Sequence, residues 1–219
     1  MPLESPADLR APADAHAQML SALERVALAL NGAGVRWAVG ASMMLYLRGV
    51  TQTFGDIDIV LHPDDALSAH ACLREVCTCV DAQQCAAPEK ARVFSSNPFH
   101  RYVCGAAQIE TMAGLHVRHH SGCYAYAFAR GHAHVLVGAQ RVALCPLEDW
   151  YVLYQLMPRR EHRLREIEAY WKSAKPNARR LSMLVRTGVP ARVRVRTRRF
   201  CACAGRARFT PVRRRECVR

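Results

Sequence analysis

The sequence predicts an α/β fold, a mixed sheet flanked by helices, followed by C-terminal helices and a basic tail. Three observations lead there. Segments of helical period alternate with short apolar runs over residues 16–77. Glycine-punctuated strand-like segments fill residues 91–144, with Gly105, Gly114, Gly122 and Gly138 between them. The charge is also uneven. Of the formal +13, residues 172–219 carry a net +15, from 16 Lys and Arg against Glu216, so residues 1–171 are near neutral.

Taken in order, residues 1–13 are rich in Pro, Ala and Asp and read as a flexible N-terminus. An α/β body spans 14–145. His16 to Leu30 is expected to be an amphipathic helix, with Met19, Leu20, Leu23, Val26, Ala27 and Leu30 on one face and Asn31-Gly32 as its stop. Val35 to Val39 reads as a strand, Ala41 to Arg48 as a helix, and Asp56 to Leu61 as a strand. Pro63 opens the next helix, to about Cys77, with Asp64 or Asp65 as a cap. Further strands are expected at Tyr102 to Cys104, Ala107 to Met112, Leu115 to Val117, His134 to Val137 and Arg141 to Leu144. A helical segment, 146–171, holds one helix from Pro146 to Met157 and another from Arg160 to Trp171. The basic tail, 172–219, reads as disordered, apart from an edge strand suggested by the alternation of Val189 to Arg196.

Composition narrows the class. Half the residues are apolar, which favours a globular protein, and no run reaches the roughly 18 apolar residues of a membrane span. The N-terminus MPLESPADLR has no apolar core of a signal peptide, so a cytoplasmic protein with no membrane partner is expected. In that setting the ten cysteines read as reduced, mostly buried thiols. Cys77 with Cys79, Cys201 with Cys203, His119 with His120 and His132 with His134 lack the repeated spacing of a zinc site.

The stretch TQTFGDIDIV carries the chemistry. Asp56 and Asp58 share one strand face, roughly 6.5–7 Å apart at Cα, while Ile57 and Ile59 share the other. Two such carboxylates repel, and burying them unpartnered is costly. A hard divalent cation such as Mg²⁺ removes both objections, because it takes oxygen ligands from one or two carboxylates plus substrate phosphates. Upstream, Gly40-Ala41-Ser42 lies between a strand and a helix. A glycine there lets a phosphate approach the backbone, next to the free N–H groups of a helix start, and Ser42 can cap the helix or bind phosphate.

The run VGASMMLYLRGVTQTFGDIDIVL resembles the signature of the nucleotidyltransferase superfamily, the polymerase-beta-like fold. The block PLEDWYVLYQLMPRREHRLREIEAYW is similar to the C-terminal helices of its small stand-alone members, many of which belong to toxin–antitoxin or phage-defence modules. The resemblance implies metal-dependent transfer of an NMP from an NTP to a hydroxyl on a protein, RNA or small molecule. It implies that Asp56 and Asp58 hold two Mg²⁺ and that Glu110, in QIETMAGL, is the third acid. It also implies that Gly40, Ala41, Ser42, Thr53 and Arg160, with Arg159 as a further candidate, meet the nucleotide. Three positions depart from the family pattern. Gln52 stands where many members have arginine, Glu110 where they have aspartate, and Tyr154 where they have lysine.

Blander readings stand beside these. Asp56 and Asp58 could be solvated acids at a strand edge, Glu110 an ordinary strand residue, Gly40 a tight turn, and Arg159 and Arg160 a solvated helix start. The corresponding alternative functions are a catalytically inactive nucleotide-binding protein of the same fold, and a basic RNA-binding protein acting through its tail, where counterion release gives weak nucleic-acid contact.

Overall fold

A computed structural model describes residues 6–80, 93–129, 133–186 and 188–203, with side chains from 15 to 201 of these. The first residues of the chain, His132 and the tail beyond Cys203 lie outside the described residues.

Helix α1 runs Pro6–Gly32, starting ten residues before the expected His16. Ala7, Ala11, Ala13, Ala15 and Ala17 make that segment a good helix former, and this outweighs its prolines. Leu23, Val26, Ala27 and Leu30 are fully buried on its inner face. At its end Asn31 accepts a hydrogen bond from Trp37 Nε1 (3.1 Å) and donates to the Arg141 carbonyl (3.0 Å), so the helix stop is tied to two strands.

The main sheet is mixed. Its strands are β1 (Trp37–Val39), β2 (Ile57–Leu61), β3 (Thr78–Val80), β5 (Phe99–Cys104) and β6 (Ala107–Ala113), and β4 (Phe94–Ser95) lies elsewhere. The order is β1-β2-β6-β5-β3, with β2 and β6 parallel and the other neighbours antiparallel. Between β1 and β2 lies α2 (Ala41–Leu47), and after β2 come a 3-10 turn (Pro63–Asp65) and α3 (Ala66–Val76). Ile57 and Ile59 share one core with Ala69 and Leu73 of α3 and the buried face of α1. Neither Asp64 nor Asp65 caps through its side chain. His62 Nδ1 accepts from the Asp64 N–H instead, and both acids bind Arg36, because the fork of its guanidinium offers a stronger partner.

Two smaller sheets complete the body: β4 with β7 (His116–His119) and β8 (Gly122–Ala125), and the hairpin of β9 (His134–Val137) and β10 (Gln140–Ala143). Strands β3, β4 and β8 are too short, or too mixed in pattern, to read from periodicity. After β10 the Cys145 N–H bonds the Val39 carbonyl at 2.9 Å, which brings the chain alongside β1 just before the Gly40 turn.

Four C-terminal helices follow: α4 (Leu147–Leu156), α5 (Glu161–Tyr170), α6 (Ala178–Leu184) and α7 (Ala191–Cys203). The last two correct the expectation of a disordered tail with an edge strand. From Ala191 on, the valine–arginine alternation lies on a helix, and Val193 and Thr197, four residues apart, are buried together. Burying a valine contributes about 1.5–3 kcal/mol, and Phe200 adds ring contacts to Trp171 and Tyr151 at 5.1 and 5.6 Å. Among the described residues no helix is long and apolar enough to cross a membrane.

Candidate active site

The parallel register of β2 and β6 sets Asp58 directly beside Glu110. Asp56 precedes the first residue of β2 and shares the Asp58 face by the two-residue period of extended chain. Together the three side chains bring carboxylate oxygens within 4.8 Å of one another. Asp58 is 9% exposed, while Asp56 and Glu110 are half-buried. Three carboxylates so close repel one another unless a cation joins them.

The Gly40 turn is attached to the same strand. The Gly40 N–H donates to the Asp58 carbonyl at 2.8 Å, and Gly40 is the N-cap of α2. A Cβ on Gly40 would lie 2.2 Å from Trp150 of α4, so the indole already fills the space that any side chain would need. Ala41 takes φ +42, a left-handed conformation that a non-glycine residue adopts only at a cost, and such strain gathers at functional turns. Ser42 Oγ makes no helix cap. It accepts from the Gly55 N–H at 3.5 Å, which holds the loop before Asp56 against the start of α2.

That loop is further fixed from α5. Arg163 donates to Thr51 Oγ1 (2.9 Å) and to the Thr53 carbonyl (3.4 Å), and Glu166 accepts from Thr51 and pairs with Arg163. Thr53 is exposed, with its backbone in this network. Phe54 stacks on His16 of α1 and packs on Tyr46 of α2, both at 4.5 Å.

Tyr154 of α4 is buried beside the acids. Burial raises its phenol well above the ordinary value, the charge of Asp58 adds to this, and Arg163 and Arg160 oppose it. Arg160 is therefore near the site, as the exposed N-cap of α5, and makes no side-chain hydrogen bond among the described residues. Arg159 is exposed, at φ +57.

The roles of three residues of this region are not readable, or only half readable, in the sequence pattern. Trp150 shows its role only once α4 lies under Gly40. Arg163 shows half of its role, since Glu166 follows three residues later on a helix, but the loop it holds is 110 residues away. Arg101 of β5 sits directly opposite Glu110; its Nε donates to Glu110 Oε1 at 2.8 Å, and a terminal nitrogen lies 2.7 Å from the same oxygen. Strand register decides that pairing.

The cysteine and histidine pairs, read from spacing as no zinc site, form no group of three ligands among the described residues. Among the described residues the Asp56–Asp58–Glu110 group is the only cluster of three with metal-ligand spacing. The described cysteines are free thiols, and burial pushes Cys145 up to about 12.

No protein-family model matches the sequence, and no curated protein sequence matches it. Solved structures do. The solution structure of the antibiotic-resistance factor ANT(2'')-Ia superposes with a TM-score of 0.51 at 10% identity, over 85% of this chain and 95% of that one. ANT(2'')-Ia in complex with adenylyl-2''-tobramycin gives 0.48 at 9% identity, over 81% and 97%. A Thermotoga maritima protein described as a nucleotidyltransferase gives 0.48 at 19% identity, over 70% and 90%. The first of these likenesses shows that this chain shares the mixed α/β fold of ANT(2'')-Ia.

Proposed function

We propose that this protein is a metal-dependent nucleotidyltransferase that moves an NMP from an NTP to a hydroxyl acceptor. The observation that carries the reading is the convergence of Asp56, Asp58 and Glu110, whose carboxylate oxygens lie within 4.8 Å of one another. The donor set fits the group, since three carboxylates in close reach are the hard oxygen ligands that Mg²⁺ takes. Asp56 and Asp58 would hold two Mg²⁺ ions, with Glu110 as a ligand of one. When bound, the metal supplies charge neutralisation for an in-line displacement at the alpha phosphorus, with pyrophosphate leaving.

The chain's own groups do the rest. Gly40, Ala41 and Ser42 would meet the phosphate oxygens at the turn into α2, where Trp150 already fills the side-chain space of Gly40 and the Asp58 carbonyl takes its N–H. Glu110 helps polarise the acceptor hydroxyl, whose oxygen forms the new bond to phosphorus. Arg160, whose charge acts on Tyr154, would meet the triphosphate, since guanidinium matches phosphate geometry. Thr53 lines the loop that Arg163 holds. The acceptor is a hydroxyl on a protein, RNA or small molecule.

The test is Mg²⁺-dependent label transfer from each of four alpha-labelled NTPs, with the protein itself, total RNA and polyhydroxylated small molecules as acceptors. Transfer that vanishes in Asp56→Ala/Asp58→Ala supports the reading and names the base. Tyr154 at the family's lysine position favours a second reading, a nucleotide-binding protein without catalysis. Metal-dependent binding with no transfer to any acceptor would select it. A folded protein with no metal-dependent NTP binding overturns both.

A further inference from the structure

Arg101 stands beside Glu110, one of the three acids of the cluster. It lies directly opposite Glu110 across the β5–β6 ladder, so the backbone register fixes where its side chain starts. The guanidinium carbon lies 5.7 Å from the Phe99 ring centroid, within cation–π range, which restrains the other end. The pair is mostly enclosed, with side-chain exposures of 23% for Arg101 and 12% for Glu110, so water screens it less than a surface ion pair.

Arg101 Nε donates to Glu110 Oε1 at 2.8 Å, and a terminal nitrogen lies 2.7 Å from the same oxygen. A carboxylate oxygen has two lone pairs. Contacts at 2.7 and 2.8 Å crowd that oxygen, so a cation that claims Oε1 must displace at least one of them, and one that takes Oε2 still meets the guanidinium charge beside it. The electrostatics point the same way. With Arg101, the three carboxylates carry a formal −2, which one divalent ion balances. A second ion would leave an excess of positive charge until a triphosphate arrives to offset it.

We infer that Arg101 is a positioning residue that competes with the divalent cation for Glu110, so that the carboxylate cluster fills with metal only together with a nucleotide's phosphates. The inference rests on the nucleotidyltransferase reading and adds to it an order of binding. Arg101 holds Glu110 in place in the free protein and keeps it from closing on metal alone. The metal–nucleotide complex then draws Glu110 away from at least one of the two contacts.

Mn²⁺ is a suitable probe, because it takes the same oxygen ligands as Mg²⁺ and its free aqua ion is counted by electron paramagnetic resonance. The full chain is titrated with Mn²⁺ as wild type, Arg101→Met, Arg101→Lys and Asp58→Asn, each without and with a non-reactive NTP analogue, and folding is checked by circular dichroism. Methionine keeps the apolar stem and removes the charge. Without nucleotide, Arg101→Met should bind Mn²⁺ about tenfold more tightly than wild type, a modest share of the repulsion between a guanidinium and a cation at this range. Arg101→Lys should fall between the two, and the gap should narrow with the analogue. Equal or weaker Mn²⁺ binding by folded Arg101→Met, while wild type with analogue binds and Asp58→Asn does not, overturns the inference and leaves the nucleotide reading standing. No Mn²⁺ binding by wild type even with the analogue, or binding that Asp58→Asn leaves intact, overturns that reading and the inference with it.

Discussion

Two regions of this protein gather acids, and they treat them differently. On the sheet, Asp56, Asp58 and Glu110 crowd together, and Arg101 pairs with Glu110 among them. In the C-terminal helices the acids are matched by arginines. Asp149, fully buried at the start of α4, receives both forks of Arg180 from α6, with Arg180 NH2 at 2.6 Å. Glu161 and Glu168 of α5 share Arg196 of α7, and Tyr151 donates to Glu168 at 2.6 Å. Burial pushes the Asp149 carboxyl up while the Arg180 hydrogen bonds pull it down. The pair holds Arg180 above its ordinary value. Matched charges of this kind join helices, whereas a surplus of one sign is a cost that folding alone does not explain.

The comparison can be broken in four places. The largest effect is expected at the sheet. Asp56→Ala/Asp58→Ala should lower nucleotide transfer by about 10³-fold, as loss of transition-state charge stabilisation does elsewhere. Urea unfolding should show that variant as stable as wild type or slightly more so, since like charges are removed. Asp149→Ala should do the reverse. It strands Arg180 against a buried site and should cost about 3–5 kcal/mol of unfolding free energy in the same urea assay.

Gly40→Ala links the two regions, because the new methyl meets Trp150 of the helical segment. Overpacking of that order costs about 1–3 kcal/mol, and NTP binding by calorimetry should weaken with it. Trp150→Phe in the same chain should recover part of the stability. The smallest effect belongs to Arg196→Met. Its partner Glu161 is 55% exposed and Arg196 itself 28%, so solvent screens the pair. A loss of about 1 kcal/mol is expected by chemical denaturation. A loss as large as that of Asp149→Ala would mean that α7 is held by charge rather than by Val193, Thr197 and Phe200.

The site was largely legible because its parts are close in the chain and obey short-range rules. Gly40, Ser42, Asp56 and Asp58 fall within one strand–turn–helix–strand unit, and alternation alone puts both aspartates on one face. Glu110 was readable as a strand acid, and the β2–β6 register then set it beside Asp58. Ser42 as a loop anchor was not readable, because its partner Gly55 is met only after the chain has folded back. The stretch Val189 to Arg196 was misread for a related reason. Valine–arginine alternation signals a strand when counted by twos, and docking onto α4 and α5 made the helix the better burial.

Residue type and order were therefore enough to identify the α/β class, the acid-bearing strand and the glycine turn, since each depends on local backbone geometry and the periodicity of apolar residues. Which arginine meets which acid was settled only by packing. Arg101 reaches Glu110 through strand register, Arg180 reaches Asp149 across 31 residues, and Arg163 reaches Thr53 across 110. Charge carries no periodicity that reveals its partner. An arginine becomes a structural tie or a competitor for metal according to the carboxylate that folding places within about 3 Å of it.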